Sequence, residues 1–211
     1  MALATNALTM ITTCEAELGL TAGEQDALLT RYINTASDQI ADYCNRKFYY
    51  ESGVAEKIAG SGDAFLFVGR TPVTSITSIV WLGDDSTVSS STYEVWDAGQ
   101  GAIYSSNGWN NTTISAIDFT RYTVTYVGGW ITPQQDSDDG ALTRDLPFDL
   151  ETACVNIVTA LWQKKGQDRT VKSESIMGAS VTYDNPFDGL DQSIKATLDN
   201  YKRMDRLEFI Y

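Results

Sequence analysis

The chain is 211 residues long, contains no histidine, and carries 28 acidic against 15 basic residues for a net charge of −13. Without histidine there is no Ser–His–Asp or Cys–His nucleophile system and no His-ligated zinc, haem or non-haem iron, so acid–base chemistry would rest on carboxylates, Lys or Tyr. The acidic balance disfavours nucleic acid and anionic membrane surfaces as ligands, while 43% hydrophobic and 20% charged residues is globular composition.

The N-terminal third reads as helical. Residues 7–18 predict a short helix ending at Gly19. Thr21-Ala22-Gly23-Glu24 has the form of a capping box, with Thr21 as N-cap and Glu24 reaching back. Leu28/Leu29, Tyr32/Ile33, Ala36, Ile40 and Tyr43/Cys44 then recur at three- and four-residue steps, the stripe of a helix of about 24 residues. Asp26, Arg31, Asp38, Asp42 and Arg46 fall off that stripe, toward solvent.

The middle changes texture and reads as β. Ala64–Val68 is a compact apolar run between Gly62 and Gly69, and Val73, Ile76, Ile79 and Trp81 suggest a strand broken by a turn or bulge. Gly83-Asp84-Asp85 reads as a hairpin turn. Tyr93/Val95 and Ala102–Tyr104 are short strands around Gly99-Gln100-Gly101, and Phe119, Tyr122, Val124, Tyr126 and Trp130 mark a long β-rich segment ending at Gly128-Gly129. Asn107–Thr113 reads as a loop, and Asp136–Gly140 as a second, acidic and mobile one.

Helix returns with Pro147 at the first helical position. Leu150, Ala153/Cys154, Ile157/Val158 and Leu161 form its buried stripe, and Gly166 closes it. Residues 167–186 read as a hairpin or arm. A last helix from about Asp188 puts Leu190, Ile194, Leu198 and Tyr201 inward, and the chain closes with Leu207-Glu208-Phe209-Ile210-Tyr211. The order predicts an α+β fold: a small helical bundle of about four helices, residues 1–50 and 147–211, with an antiparallel β insertion, residues 51–146, between the second and third major helices. Net charge is −3 over residues 1–50, −8 over 51–146 and −2 over 147–211, so the insertion carries most of the acidity.

Cys14, Cys44 and Cys154 are odd in number, widely spaced and lack a C-x-x-C pattern, which suggests free thiols used as small core residues. Residues 1–20 hold no Lys or Arg and no apolar run approaches a membrane span, so the expectation is a soluble protein made in the cytosol. Asp136, Asp138, Asp139 and Gly140 resemble a calcium loop superficially, but an EF-hand needs a glutamate where Pro147 stands. Gly60-Ser61-Gly62 lacks the G-K-[ST] of a phosphate loop and reads as a turn. Adjacent carboxylates such as Asp84-Asp85 leave a carboxylate-only hydrolase formally open, but none sits in an apolar niche. No catalytic residue, cofactor or metal ligand is expected. Trp96, Tyr104, Trp109 and Trp130 on the β part would suit a sugar-stacking face, a sandwich core or a subunit interface.

Three stretches together resemble the head–tail connector (adaptor) family of tailed bacteriophages. They are Glu24 to Phe48, with Asp26-Ala27-Leu28-Leu29, Ala36, Ile40 and Tyr43; Arg70-Thr71-Pro72-Val73-Thr74-Ser75-Ile76-Thr77-Ser78-Ile79, similar to the family's x-x-P-V-x-S-I-x-S-V strand; and Leu146-Pro147-Phe148-Asp149-Leu150 followed by Gly166, Ser173–Gly178 and Val181-Thr182-Tyr183. Residues 82–145 look longer than in compact members. The resemblance implies a non-enzymatic virion protein at the head–tail interface, present in the host cytoplasm during assembly. It implies a ring, usually dodecameric, beneath the portal, through which DNA passes without specific binding. Leu28, Tyr32, Ile40, Ile157 and Leu161 would then serve ring contacts between helices. Leu207, Phe209, Ile210 and Tyr211 would anchor on the portal protein, and Trp96, Tyr104 and Trp109 would face stopper, neck or tail proteins. The alternative is a carbohydrate-binding or virion-decoration module using the aromatic-rich insertion.

Overall fold

The computed structural model describes residues 2–110, 122–165, 173–176, 179–182 and 192–203. In chain order its elements are α1 (Ile11–Leu18), α2 (Asp26–Cys44), β1 (Glu51–Ile58), β2 (Phe65–Phe67), β3 (Val73–Trp81), β4 (Ser86–Thr87), β5 (Tyr93–Asp97), β6 (Ala102–Ser105), β7 (Tyr122–Gly128), α3 (Pro133–Asp138), α4 (Phe148–Gln163), β8 (Ser173–Ile176), β9 (Ala179–Thr182) and α5 (Gln192–Asp199). The fold is mixed helix and antiparallel sheet, as the sequence order predicts. The described residues of 2–44 and 146–202 form one compact unit; those of 45–145, with Arg203, form the other.

In the helical unit, Gly19 takes the left-handed conformation (φ 64°) and its N–H binds the Ala16 carbonyl, closing α1. The helices α2 and α4 bury facing stripes: Leu29, Tyr32, Ile33, Ala36 and Ile40 on one, and Leu150, Ala153, Cys154, Ile157 and Val158 on the other. Ile194 and Leu198 of α5 join them. Polar ties hold the N-terminal segment to this core. Leu8 N–H donates to Ser37 Oγ (3.1 Å) and Thr9 Oγ1 donates to Glu151 Oε1 (3.0 Å). The backbone of β8 and β9 pairs antiparallel, Ser173 with Thr182 through Ile176 with Ala179.

Several helical expectations are corrected. No capping box forms at Thr21. Gly23 adopts φ 85°, its N–H donates to the buried Glu15 carboxylate (2.7 Å), and Glu24 N–H turns back to the Thr21 carbonyl (3.3 Å). That turn delays α2 to Asp26, leaving 19 residues. Arg46 is not solvated but 7% exposed. Pro147 is the N-cap of α4 rather than its first helical residue. Gly166, Asp188 and Leu190 lie outside the described residues.

The β unit contains a four-stranded sheet, β1-β7-β3-β4, and a three-stranded sheet, β2-β6-β5, all antiparallel. Their core is Leu66, Val68, Val73, Ile79, Ile103, Trp109, Tyr122, Val124 and Tyr126. Strand β7 alternates buried and half-buried residues along its length, the period-2 signature of a half-buried strand. Register shifts at Val73/Ser75 and Ile76/Ser78 show that the break expected in β3 is a pair of bulges. The Asp84-Asp85 turn is present, with Asp85 at φ 56° and Ser86 N–H on Asp84 Oδ1 (2.9 Å). The acidic stretch after Thr132 is no mobile loop but α3. Thr132 Oγ1 accepts from Gln135 N, Gln135 reaches back to Thr132 N (both 3.3 Å), and Pro133 opens the helix.

All three cysteines are free and buried. Burial, reinforced at Cys14 by the Glu151 charge, raises the Cys14 and Cys154 thiols from 9.0 to about 12. The native state therefore favours the neutral thiol. Its stabilisation is complete below the unfolded thiol range and is lost as pH rises toward about 12. Denaturation midpoints are expected to fall between pH 8 and 10, less steeply in a Cys14→Ala/Cys154→Ala variant, and native protein at pH 8 should resist thiol labelling. Rapid labelling, or midpoints flat with pH, would contradict this burial.

Candidate interaction surfaces

The three-stranded sheet has two unlike faces. Directly paired residues share a face, and Phe65 pairs with Tyr104, which pairs with Glu94. The neighbouring row is Phe67, Ala102 and Asp97. The opposite face carries Leu66 and Ile103 into the core. A register shift between Val95 and Asp97 makes Trp96 the bulge residue; it is 63% exposed. Its ring lies 6.0 Å from Phe65 and 5.8 Å from Tyr104, with Phe65 and Tyr104 at 5.6 Å. These separations suit tilted and edge-to-face aromatic contacts. The result is an outward aromatic platform with Glu94 and Asp97 exposed beside it.

Buried cations brace the turn behind this platform. Arg46 lies over the rings of Phe48 (5.6 Å) and Trp130 (5.3 Å), which stack at 5.9 Å, and its Nη2 donates to the Gly99 carbonyl (2.8 Å). Asp97 Oδ1 accepts from Gln100 N–H (2.9 Å), and Ala98 O accepts from Val73 N–H (2.9 Å). The β5–β6 turn, which follows Trp96 and Asp97, is thus held from outside by Arg46 and Val73 and from within by Asp97. Arg70 repeats the motif: it lies 4.0 Å over the Tyr49 ring, donates to the Tyr49 carbonyl (2.8 Å) and pairs with Glu51 (2.6 Å). The Tyr126 hydroxyl accepts Arg70 N–H (2.9 Å) and donates to Glu56 (2.8 Å). Burial and the Glu56 charge hold this phenol well above its ordinary range.

The sequence-selected residues divide accordingly. Trp96 and Tyr104 stand together on the platform, but Trp109 does not. It is 2% exposed, its Nε1 donates to Ala64 O (3.1 Å) and Ile103 O (3.2 Å), and Tyr122 packs edge-on at 5.1 Å. An indole whose N–H finds two carbonyls is a satisfied core residue. Phe65 takes its place on the platform, a role concealed by reading Ala64–Val68 as one apolar run. The signal was the alternation: Leu66 and Val68 are buried, while Phe65 and Phe67 are only half-buried. Among the helix residues, Tyr32, Ile40 and Ile157 belong to the unit's own core, whereas Leu28 and Leu161 keep part of their surface. Phe148, not singled out from sequence, is 75% exposed at the start of α4. Leu207, Phe209, Ile210 and Tyr211 lie outside the described residues. Among the described residues no group of three or more Cys, Asp or Glu could hold a metal, and no helix is long and apolar enough to cross a membrane.

This fold is similar to that of chains solved in gene transfer agent particles. It resembles a chain in the neck of an empty gene transfer agent particle computed with C6 symmetry (TM-score 0.59, 15% identity, 97% of this chain and 94% of that one). It also resembles chains in the neck of the native particle computed with C12 symmetry (0.57, 15%, 97% and 93%) and in the native gene transfer agent virion (0.57, 14%, 97% and 94%). No curated protein matches the sequence. The head completion protein family matches residues 7–204, and the chain belongs to it. Its role is that of a structural head–tail connector of a phage-like virion, as the three sequence stretches imply.

Arg46 is expected to be irreplaceable by lysine, since an ammonium cannot stack on two rings while bonding the Gly99 carbonyl. Arg46→Lys should cost about 1–3 kcal/mol, read as a lowered urea midpoint at unchanged slope. An unaltered midpoint would show that the stack is incidental.

Proposed function

We propose that this connector works as a closed homo-oligomeric ring, a dodecamer, seated beneath the portal and extending the DNA channel toward the tail. The observation that carries this reading is the family match across residues 7–204. The neck structures computed with C6 and C12 symmetry support a cyclic arrangement. A ring arises when one patch meets a different patch on the next copy and the rotation closes. In this reading the helical unit, residues 1–44 and 146–202, is the core whose exposed faces, with Leu28 and Leu161, meet the neighbouring copy. Residues 51–146 face stopper and tail proteins. The role needs no catalysis. A net charge of −13 lets DNA pass without adhering, because few cations are available to replace its counterions. The protein assembles in the host cytoplasm and ends in the virion.

The apolar C-terminal residues Leu207, Phe209, Ile210 and Tyr211 form the portal anchor. Deleting residues 207–211 is expected to leave the melting temperature unchanged and to abolish capture by immobilised portal. Undiminished capture would overturn the anchor assignment.

A further inference from the structure

We infer that the Phe65–Trp96–Tyr104 platform is a receptor for arginine side chains of a neighbouring neck or tail protein. This rests on the connector reading and names the chemistry of one of its contacts. The platform combines two features that guanidinium groups recognise together: aromatic faces for stacking and carboxylates for paired hydrogen bonds. Glu94 lies directly across from Tyr104 on the same face, and Asp97 follows the Trp96 bulge. Among the described residues no cation lies over any of the three rings.

Charge selects the occupant further. The exposed acids beside the rings are Glu94 and Asp97; of the nearby bases, Arg70 is buried and paired with Glu51, and Arg203 donates to the Phe67 carbonyl (3.4 Å). A surface of this sign repels phosphates and acidic segments and attracts cationic ones. The unit applies the same chemistry internally, where Arg70 sits over Tyr49 against Glu51 and Arg46 sits over Phe48 and Trp130. The outer platform presents the aromatic and acidic halves of that arrangement without the arginine. Arginine is favoured over lysine because its planar, weakly hydrated cation stacks and forks at once. Bracing of the β5–β6 turn by Arg46 and Val73 holds Trp96 in place before any partner arrives, which limits the ordering cost of binding.

The test is calorimetric titration of the full chain with a short blocked peptide of alternating glycine and arginine, beside its lysine and glutamate counterparts. Saturable binding of the arginine peptide is expected, stronger than that of the lysine peptide, weakened by salt and absent for the glutamate peptide. Trp96→Ala leaves net charge untouched, yet should reduce arginine-peptide affinity at least about tenfold. Glu94→Gln/Asp97→Asn should reduce it as well, and Phe148→Ala, on the other unit, should not. Each variant is checked for an unchanged circular dichroism spectrum. Equal binding by wild type and Trp96→Ala would reduce the effect to bulk charge and overturn the inference. So would saturable oligosaccharide binding that depends on Trp96, which would make this a sugar-stacking face. Ring formation on the portal, scored separately for wild type and Trp96→Ala, keeps the two readings apart. Rings with no arginine binding sink only this inference, whereas no rings from the wild type sinks the connector reading.

Discussion

The β unit depends on a clasp between its two ends. The chain enters it at Asn45 and leaves at Asp145, so bringing the ends of this long insertion together costs closure entropy that contacts between them must offset. They are joined densely. Trp130 N–H donates to Phe48 O (2.6 Å), and Tyr50 N–H donates to Trp130 O (2.7 Å). Gln135 donates to Tyr50 O (2.7 Å) and accepts from Tyr50 N (3.1 Å), so one side chain on α3 mimics a strand partner. Arg46 then covers the joined pair by lying over Phe48 and Trp130. Gly129 sits at the closest approach: its φ is 96°, and a Cβ there would run into the carbonyls of Tyr49 and Phe48. Only glycine accommodates both demands.

That clasp also explains where sequence reading succeeds and where it stops. Helices α2 and α4, with strands β3, β5, β6 and β7, were legible because each buries one face and so carries a full hydrophobic period. Strand β1 was not, because Glu51-Ser52-Gly53-Val54-Ala55-Glu56-Lys57-Ile58 is a largely exposed edge that meets the core through half-buried Val54 and Ile58. Its existence follows from pairing with β7, a long-range fact that local pattern does not contain. Helix α3 carries a legible signal in Thr132-Pro133-Gln134-Gln135, a capping box with proline at the first position. The box at Thr21 had the right letters, but the buried Glu15 carboxylate holds Gly23 in a turn instead.

The candidate surface shows the same division. Aromatic content in the insertion was readable, but which rings face outward was not, because burial depends on sheet pairing. Trp109 is drawn inward by two carbonyls and the edge of Tyr122, while the bulge at Trp96 turns its indole out. Arg46 looked like a solvated helix-end charge because its distant partners Trp130 and Gly99 are brought to it only by the fold. The family resemblance, by contrast, was legible, since it rests on the order and spacing of helix, strand and helix rather than on burial.

A head–tail connector accommodates these features: a helical unit with its own core, an acidic β unit with an outward aromatic face, and no histidine. The most direct test is native mass spectrometry and negative-stain class averaging of this protein mixed with the portal encoded beside it. Ring assembly predicts one closed, stoichiometric ring of identical subunits capping one end of the portal. Subunits that remain monomeric and unassociated with the portal at every salt concentration would contradict it.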